Sequence, residues 1–91
     1  MLTPQAKIKR IENIIASPMD DELVMMSMEN NAYYGLNKVG RKIWELLESE
    51  QTLDTLCDEL LKQYDVDRAT CYRDILVIVS KMEEAGLVAV E

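Results

Sequence analysis

The hydrophobic pattern changes most clearly at residue 37. Residues 33–36, Tyr-Tyr-Gly-Leu, carry aromatic and β-favouring side chains at a period of two. Apolar residues then follow at helical spacing: Val39, Ile43, Leu46 and Leu47. The pattern predicts a strand that runs straight into a helix. Asn37 lies at the junction and is the predicted N-cap, because its side-chain oxygen can accept a hydrogen bond from the first turn.

The residues before this junction favour extended structure. Residues 11–16 predict a strand ended by a turn at Ser17-Pro18, and a helix over residues 8–15 is the alternative. Residues 23–28 predict a second strand, with Val24, Met26 and Met28 on one face and Leu23, Met25 and Ser27 on the other. Asn30-Asn31 predicts a tight hairpin turn into the third strand. We expect residues 1–10 to be a flexible lead-in and residues 11–91 to form a single domain.

The rest of the chain predicts helices. Thr52 can cap a second helix with an apolar stripe of Leu53, Leu56, Cys57, Leu60, Leu61 and Tyr64. Asp67 can cap a third helix that ends near Ala85, followed by Gly86 as the C′ residue and a short extended tail. The predicted fold is α+β and resembles a winged helix-turn-helix. It has a three-stranded antiparallel sheet, three helices and a C-terminal extended segment.

The third helix carries an apolar run that one packing face cannot use. Residues 75–79 are all apolar, and five residues at about 100° each sweep the whole circumference of a helix. If Ile75, Val79 and Met82 face the core, Val77 and Ile78 lie partly outside it, bordered by Asp74 and Lys81. Such a strip favours a peptide-binding groove. The alternative is that the N-terminal strands cover it.

The third strand offers a second candidate feature. A small three-stranded sheet leaves an edge of unpaired N–H and C=O groups, and an extended peptide can use them by adding a strand. Tyr34 and Leu36 are expected in the core, which leaves Tyr33, Gly35 and the backbone edge available. The same edge can also pair with a second copy of the chain.

Composition and charge narrow the functional classes. The chain has 91 residues, no apolar run near the roughly 20 needed to span a bilayer, and no signal-peptide pattern, so we expect a soluble cytoplasmic domain without membrane contact. A net charge of −7 disfavours nucleic-acid binding. Two cysteines and no histidine disfavour a metal site. No phosphate-binding loop or catalytic motif is present, so we expect neither an enzyme nor a cofactor.

Three separated segments resemble the PqqD-like family, the small winged-helix domains also called RiPP precursor recognition elements. They are the Leu-Asn-x-x-Gly-x-x-Ile-Trp-x-Leu signature at residues 36–46, Tyr-Asp-Val-Asp at residues 64–67, and Met-Glu-Glu-Ala-Gly-Leu-Val at residues 82–88. The similarity spans roughly residues 11–90 in the same order. With its Tyr-Tyr-Gly-Leu-Asn strand, the chain is most similar to the discrete recognition proteins of lasso-peptide pathways.

The resemblance implies a binding function. Family members bind the leader segment of a ribosomally made precursor peptide as an added strand, and they act as peptide chaperones that present the precursor to modifying enzymes. In lasso-peptide pathways these enzymes are a leader protease and a macrocyclase. It implies that the leader contacts the third strand and the third helix, through Ala32, Tyr33, Tyr34, Gly35, Asp74, Val77, Ile78 and Lys81. Two alternatives stay open at this stage: a carrier for pyrroloquinoline quinone or another radical-enzyme pathway, and a winged-helix transcriptional regulator.

Overall fold

A computed structural model describes residues 3–28 and 32–91 of the chain. The strands are β1 (Lys7–Arg10), β2 (Ile14–Met19), β3 (Glu22–Ser27), β4 (Ala32–Leu36), β5 (Gln51–Thr52) and β6 (Val88–Val90). The helices are α1 (Lys38–Leu46), α2 (Leu53–Leu61) and α3 (Arg68–Glu84). The predicted α+β class, with an antiparallel sheet ahead of three helices, is confirmed.

The first sheet has the order β2-β3-β4 and is antiparallel throughout. Leu23, Met25 and Ser27 are buried, whereas Val24 and Met26 on the opposite face are half-exposed, so the predicted faces are correct. The predicted turn at Ser17-Pro18 is wrong, because both residues lie within β2 and pair with β3. Proline is tolerated there because β2 is an edge strand. The predicted Asn30-Asn31 turn lies outside the described residues.

The turn between β2 and β3 instead falls at Asp20. This residue has a φ of 58°, in the left-handed region that aspartate adopts more readily than most side chains. Arg41 of α1 donates to the backbone carbonyls of Asp20 and Glu22 at 3.1 and 3.3 Å. The helix that follows β4 therefore holds the tip of the β2–β3 hairpin.

A second sheet has the order β5-β1-β6 and corrects the prediction for the N-terminal residues. Residues 7–10 are not a flexible lead-in, nor do residues 8–15 form the alternative helix. Lys7–Arg10 pairs with β5 on one side and β6 on the other. Ile8 is fully buried between charged neighbours. The strand forms because burial of Ile8 and backbone pairing with distant segments fix it in place.

Local capping signals define all three helices as the sequence predicts. In α1 the Asn37 side chain accepts a hydrogen bond from the backbone N–H of Gly40 at 2.9 Å. In α2 the Thr52 hydroxyl accepts one from the backbone N–H of Thr55 at 3.1 Å. In α3 the Asp67 carboxylate accepts one from the backbone N–H of Thr70 at 3.3 Å. Each bond satisfies a donor that has no partner within the helix. Gly86 follows α3 with a φ of 76°, as expected of a C′ residue.

The core lies between the helices and the inner faces of both sheets. Its fully buried members come from β1, β3, all three helices, and the residues that follow α1 and α3, Leu47 and Leu87. Trp44 of α1 is 5% exposed. The guanidinium of Arg10 lies over the Trp44 ring, 4.4 Å from its centroid. The same side chain donates to the Trp44 carbonyl through Nε, at 3.1 Å, and through Nη2. Arg10 thus joins the second sheet to α1.

Candidate functional site

An elongated groove of about 460 Å³ lies between β4 and α3. We call it the β4–α3 groove. One wall consists of Tyr33, Tyr34, Gly35 and Leu36 with the adjoining Asn37 and Gly40, and the other of Ile78, Lys81, Met82, Ala85 and Leu87. Most of these side chains are apolar. The groove is therefore suited to an extended ligand with apolar side chains.

The helical wall follows from the spacing of its residues. Ile78, Lys81, Met82 and Ala85 lie at i, i+3, i+4 and i+7, so they share one side of α3. Met82 is buried, Ile78 is half-buried, and Lys81 is exposed. The groove thus begins at the core and opens to solvent along a single row of side chains.

The structure brings five of the eight predicted site residues together at the groove: Tyr33, Tyr34, Gly35, Ile78 and Lys81. Two others lie elsewhere. Val77 is 50% exposed, as expected of a residue outside the core, but it lines a neighbouring shallow depression beside Glu84, which shares only Lys81 with the groove. Asp74 borders a small pocket among the three helices. For Ala32 the structure gives its backbone pairing with Ser27, which places it in β4.

Sequence reasoning missed six lining residues: Leu36, Asn37, Gly40, Met82, Ala85 and Leu87. Met82 and Ala85 continue the row that starts at Ile78, so the helical period alone could have identified them. Asn37 and Gly40 lie at the junction of β4 and α1, which the sequence predicts, and they line the groove together with residues of α3. That placement depends on how α1 meets the sheet, which the local sequence does not encode.

The backbone edge of β4 adjoins this groove. β4 pairs with β3 along one side, and no strand among the described residues pairs with its other side. Tyr33 is 72% exposed, and a Cβ added to Gly35 would meet no atom within 4 Å. An approaching backbone therefore finds hydrogen-bonding groups with little steric obstruction.

The two cysteines lie away from the groove, in the interface of α2 and α3. Both are buried and free. Burial raises the pKa of Cys57 to about 11, with the neighbouring Cys71 as the next contribution, and burial also raises the pKa of Cys71. At neutral pH both are thiols, the less reactive form. Each cysteine therefore acts as a small apolar side chain in the helix interface, as buried free cysteine commonly does.

Within residues 3–28 and 32–91, no cluster of three or more cysteine, aspartate or glutamate side chains is arranged to hold a metal ion. None of the three helices in these residues is both long and apolar enough to cross a bilayer.

Comparison with known proteins gives one family and two structures. Residues 22–88 match the family described as Coenzyme PQQ synthesis protein D (PqqD). One is the structure of TbiB1 in complex with the TbiA(beta) leader peptide, whose sequence is 30% identical to this chain. The match has a TM-score of 0.81 and covers 88% of this chain and 93% of the TbiB1 chain. The other is lasso peptide synthetase B1 complexed with the leader peptide, whose sequence is 22% identical to this chain. Its TM-score of 0.76, over 90% of this chain and 96% of the synthetase chain, shows the same fold. A search of curated proteins gave no significant match.

Proposed function

The chain belongs to the PqqD family, and on that basis we propose that it binds the leader segment of a ribosomally synthesised precursor peptide without performing chemistry itself. The observation that carries the proposal is the open edge of β4 beside the β4–α3 groove. An extended peptide that adds to this edge would pair its backbone with β4. Every second side chain would then point into the groove, because strand side chains alternate between faces.

We assign the pathway to lasso-peptide biosynthesis, since two proteins of the same fold were solved with leader peptides and one of them is named a lasso peptide synthetase. The partners would then be a leader protease and a macrocyclase, and the site of action the cytoplasm. By binding the leader, the domain would raise the local concentration of the precursor at these enzymes. The family description favours a second candidate, peptide delivery in coenzyme PQQ synthesis.

The groove can support an affinity useful for this role. A dissociation constant of 1 μM corresponds to about −8 kcal/mol, and a few well-buried apolar anchors supply most of the binding energy of a typical peptide complex. Tyr34 on one wall of the groove, and Ile78 and Met82 on the other, offer apolar contacts to such anchors. Main-chain hydrogen bonds to β4 would fix the register, and the groove would select the side chains.

The test is a fluorescence-anisotropy titration with labelled leader peptides from the short precursor genes that neighbour this gene. A scrambled leader serves as the peptide control. Ile78→Glu should weaken binding at least tenfold, because it places a charge among the apolar groove contacts. Val66→Glu is the matched control. It makes a similar change at a residue that is 44% exposed and lies outside the groove.

Saturable binding at micromolar concentration or tighter to one leader, lost in Ile78→Glu and kept in Val66→Glu, would support the proposal. The precursor that binds would also decide between the lasso and PQQ pathways. If the folded wild-type protein binds none of the leaders, the proposal fails. Equal losses in the two variants would place the peptide elsewhere on the surface. Circular dichroism of each variant separates these results from unfolding.

A further inference from the structure

Lys81 is the one charged residue among the described residues that line the β4–α3 groove. The rest of the lining is apolar or uncharged, in a chain whose net charge is −7. Lys81 is exposed, and none of the ion pairs found among the described residues involves it. The groove therefore presents an unpaired positive charge beside apolar walls, although the protein as a whole is acidic.

We propose that this lysine selects a leader with a carboxylate side chain close to an apolar anchor. The inference rests on the proposed function, because it describes the peptide that would occupy the same groove. An Asp or Glu there would pair with the ammonium group of Lys81, while the apolar residue contacts Ile78 and Met82. An arginine or lysine at that position would meet a like charge, so discrimination comes from repulsion as well as attraction.

The spacing of the two groups follows from the geometry of the elements. Ile78 and Lys81 are three residues apart on α3, about 4.5 Å along the helix axis, and the flexible lysine stem extends the reach of the charge. Side chains on one face of a strand repeat about every 6.6–6.8 Å. A carboxylate two positions from the apolar anchor therefore shares its face. It would meet Lys81 when the anchor contacts Ile78 and the added strand runs along α3.

Lys81 also lies in the last turn of α3, where a cation interacts favourably with the helix dipole. That structural role acts on the folded protein whatever peptide is present. Recognition by Lys81 instead depends on the charge of one peptide residue. A charge exchange between protein and peptide therefore distinguishes the two roles.

The probes are fluorescein-labelled 12-residue peptides that tile the short reading frames beside this gene, each made with every Asp or Glu replaced in turn by Gln or by Lys. They are titrated against the wild type, Lys81→Met and Lys81→Glu. Lys62→Met and Lys62→Glu are the matched controls, since Lys62 pairs with Glu59 on α2 and lies outside the groove. These controls reproduce each change in net charge.

We expect the peptide that binds to carry an Asp or Glu two positions from an apolar residue. Lys81→Met should weaken its binding about three- to fivefold, the upper range for an exposed ion pair. The Gln analogue should bind the wild type equally weakly and be insensitive to Lys81→Met. Lys81→Glu should bind the Lys analogue better than the parent peptide. Both Lys62 variants should behave as the wild type, and the effect at Lys81 should shrink as salt is raised.

Three outcomes would overturn the inference, and they differ in whether the proposed function survives. If a peptide binds and Ile78→Glu abolishes the binding, but neither the Lys81 variants nor the Gln analogues change the affinity, the charge selection is refuted and the proposed function survives. If no peptide binds the folded wild type, both fail. Equal losses in the Lys62 and Lys81 variants would attribute the effect to overall charge and also refute a role for Lys81.

Discussion

Replacing Arg10 with alanine should destabilise the domain by about 2–3 kcal/mol. Its cation–π contact with Trp44 contributes about 1 kcal/mol at a partly exposed site. Its hydrogen bonds to the carbonyl of the same residue contribute about 1.5 kcal/mol as one charged interaction. Burial lowers the pKa of Arg10, and the carboxylates of Glu48 and Glu45 oppose that effect. The guanidinium stays charged at every pH where the protein is folded.

Urea unfolding followed by Trp44 fluorescence measures this loss. For a domain of this size the expected shift in midpoint is roughly 1–2 M, with the slope unchanged. Arg10→Lys should lose about half as much, because it keeps the charge but not the planar group that stacks on the ring. Lys9→Ala is the control, since its ion pair with Glu91 is exposed at both ends and should contribute less than about 0.5 kcal/mol.

The reasoning is refuted if Arg10→Ala and Lys9→Ala unfold at the same urea concentration. In that case strand pairing alone would hold β1 in place, and the stack on Trp44 would be incidental. A large loss in Arg10→Ala with a lower slope would point to a partly unfolded native state instead.

Three further predictions concern the helices. Thr52→Ala should cost about 1 kcal/mol in urea unfolding, as removal of an N-cap does; a change below about 0.3 kcal/mol would contradict the role of the cap. Hydrogen bonds from Thr70 hold the pKa of Asp67 below its usual value, so the advantage of the wild type over Asp67→Ala should be complete above about pH 5. That advantage should be lost as the pH falls through the lowered pKa, and a pH-independent difference would contradict it. Cys57 and Cys71 should not react with iodoacetamide at pH 7.5 in the native protein and should react fully in urea, as mass spectrometry can count.

Features that depend on local chemistry could be predicted from the sequence. Asn37, Thr52 and Asp67 cap helices because a short polar side chain reaches a backbone N–H three residues on, whatever the rest of the fold does. The alternation in β3 likewise separated its two faces, although only the structure shows that Leu23, Met25 and Ser27 form the buried one. These signals lie within a few residues of the structure they determine.

Features that depend on pairing between distant segments could not be predicted from the sequence. β1 forms only because residues 51–52 and 88–90 lie on its two sides, and its own sequence, Lys-Ile-Lys-Arg, reads as polar. At the candidate site the sequence located the groove-lining residues of α3 only to within one helical position. Val77 and Ile78 differ by about 100° around α3, and the packing of the helix on the core decides which of them faces β4. Ile78 lines the groove, and Val77 does not.

The pairing of β1 with β6 has a mechanical consequence. Lys7 and Glu91 exchange two backbone hydrogen bonds, of 3.0 and 2.8 Å, at the end of this ladder. A force that pulls residues 7 and 91 apart would load these bonds first and then break the ladder one pair at a time, as a zipper opens. Because the bonds break in sequence and not all at once, a small force is enough to separate the two strands. Segments attached at residue 7 and at residue 91 would leave the domain side by side. Inserting the domain into a longer chain through these two residues would therefore add little distance between the flanking segments.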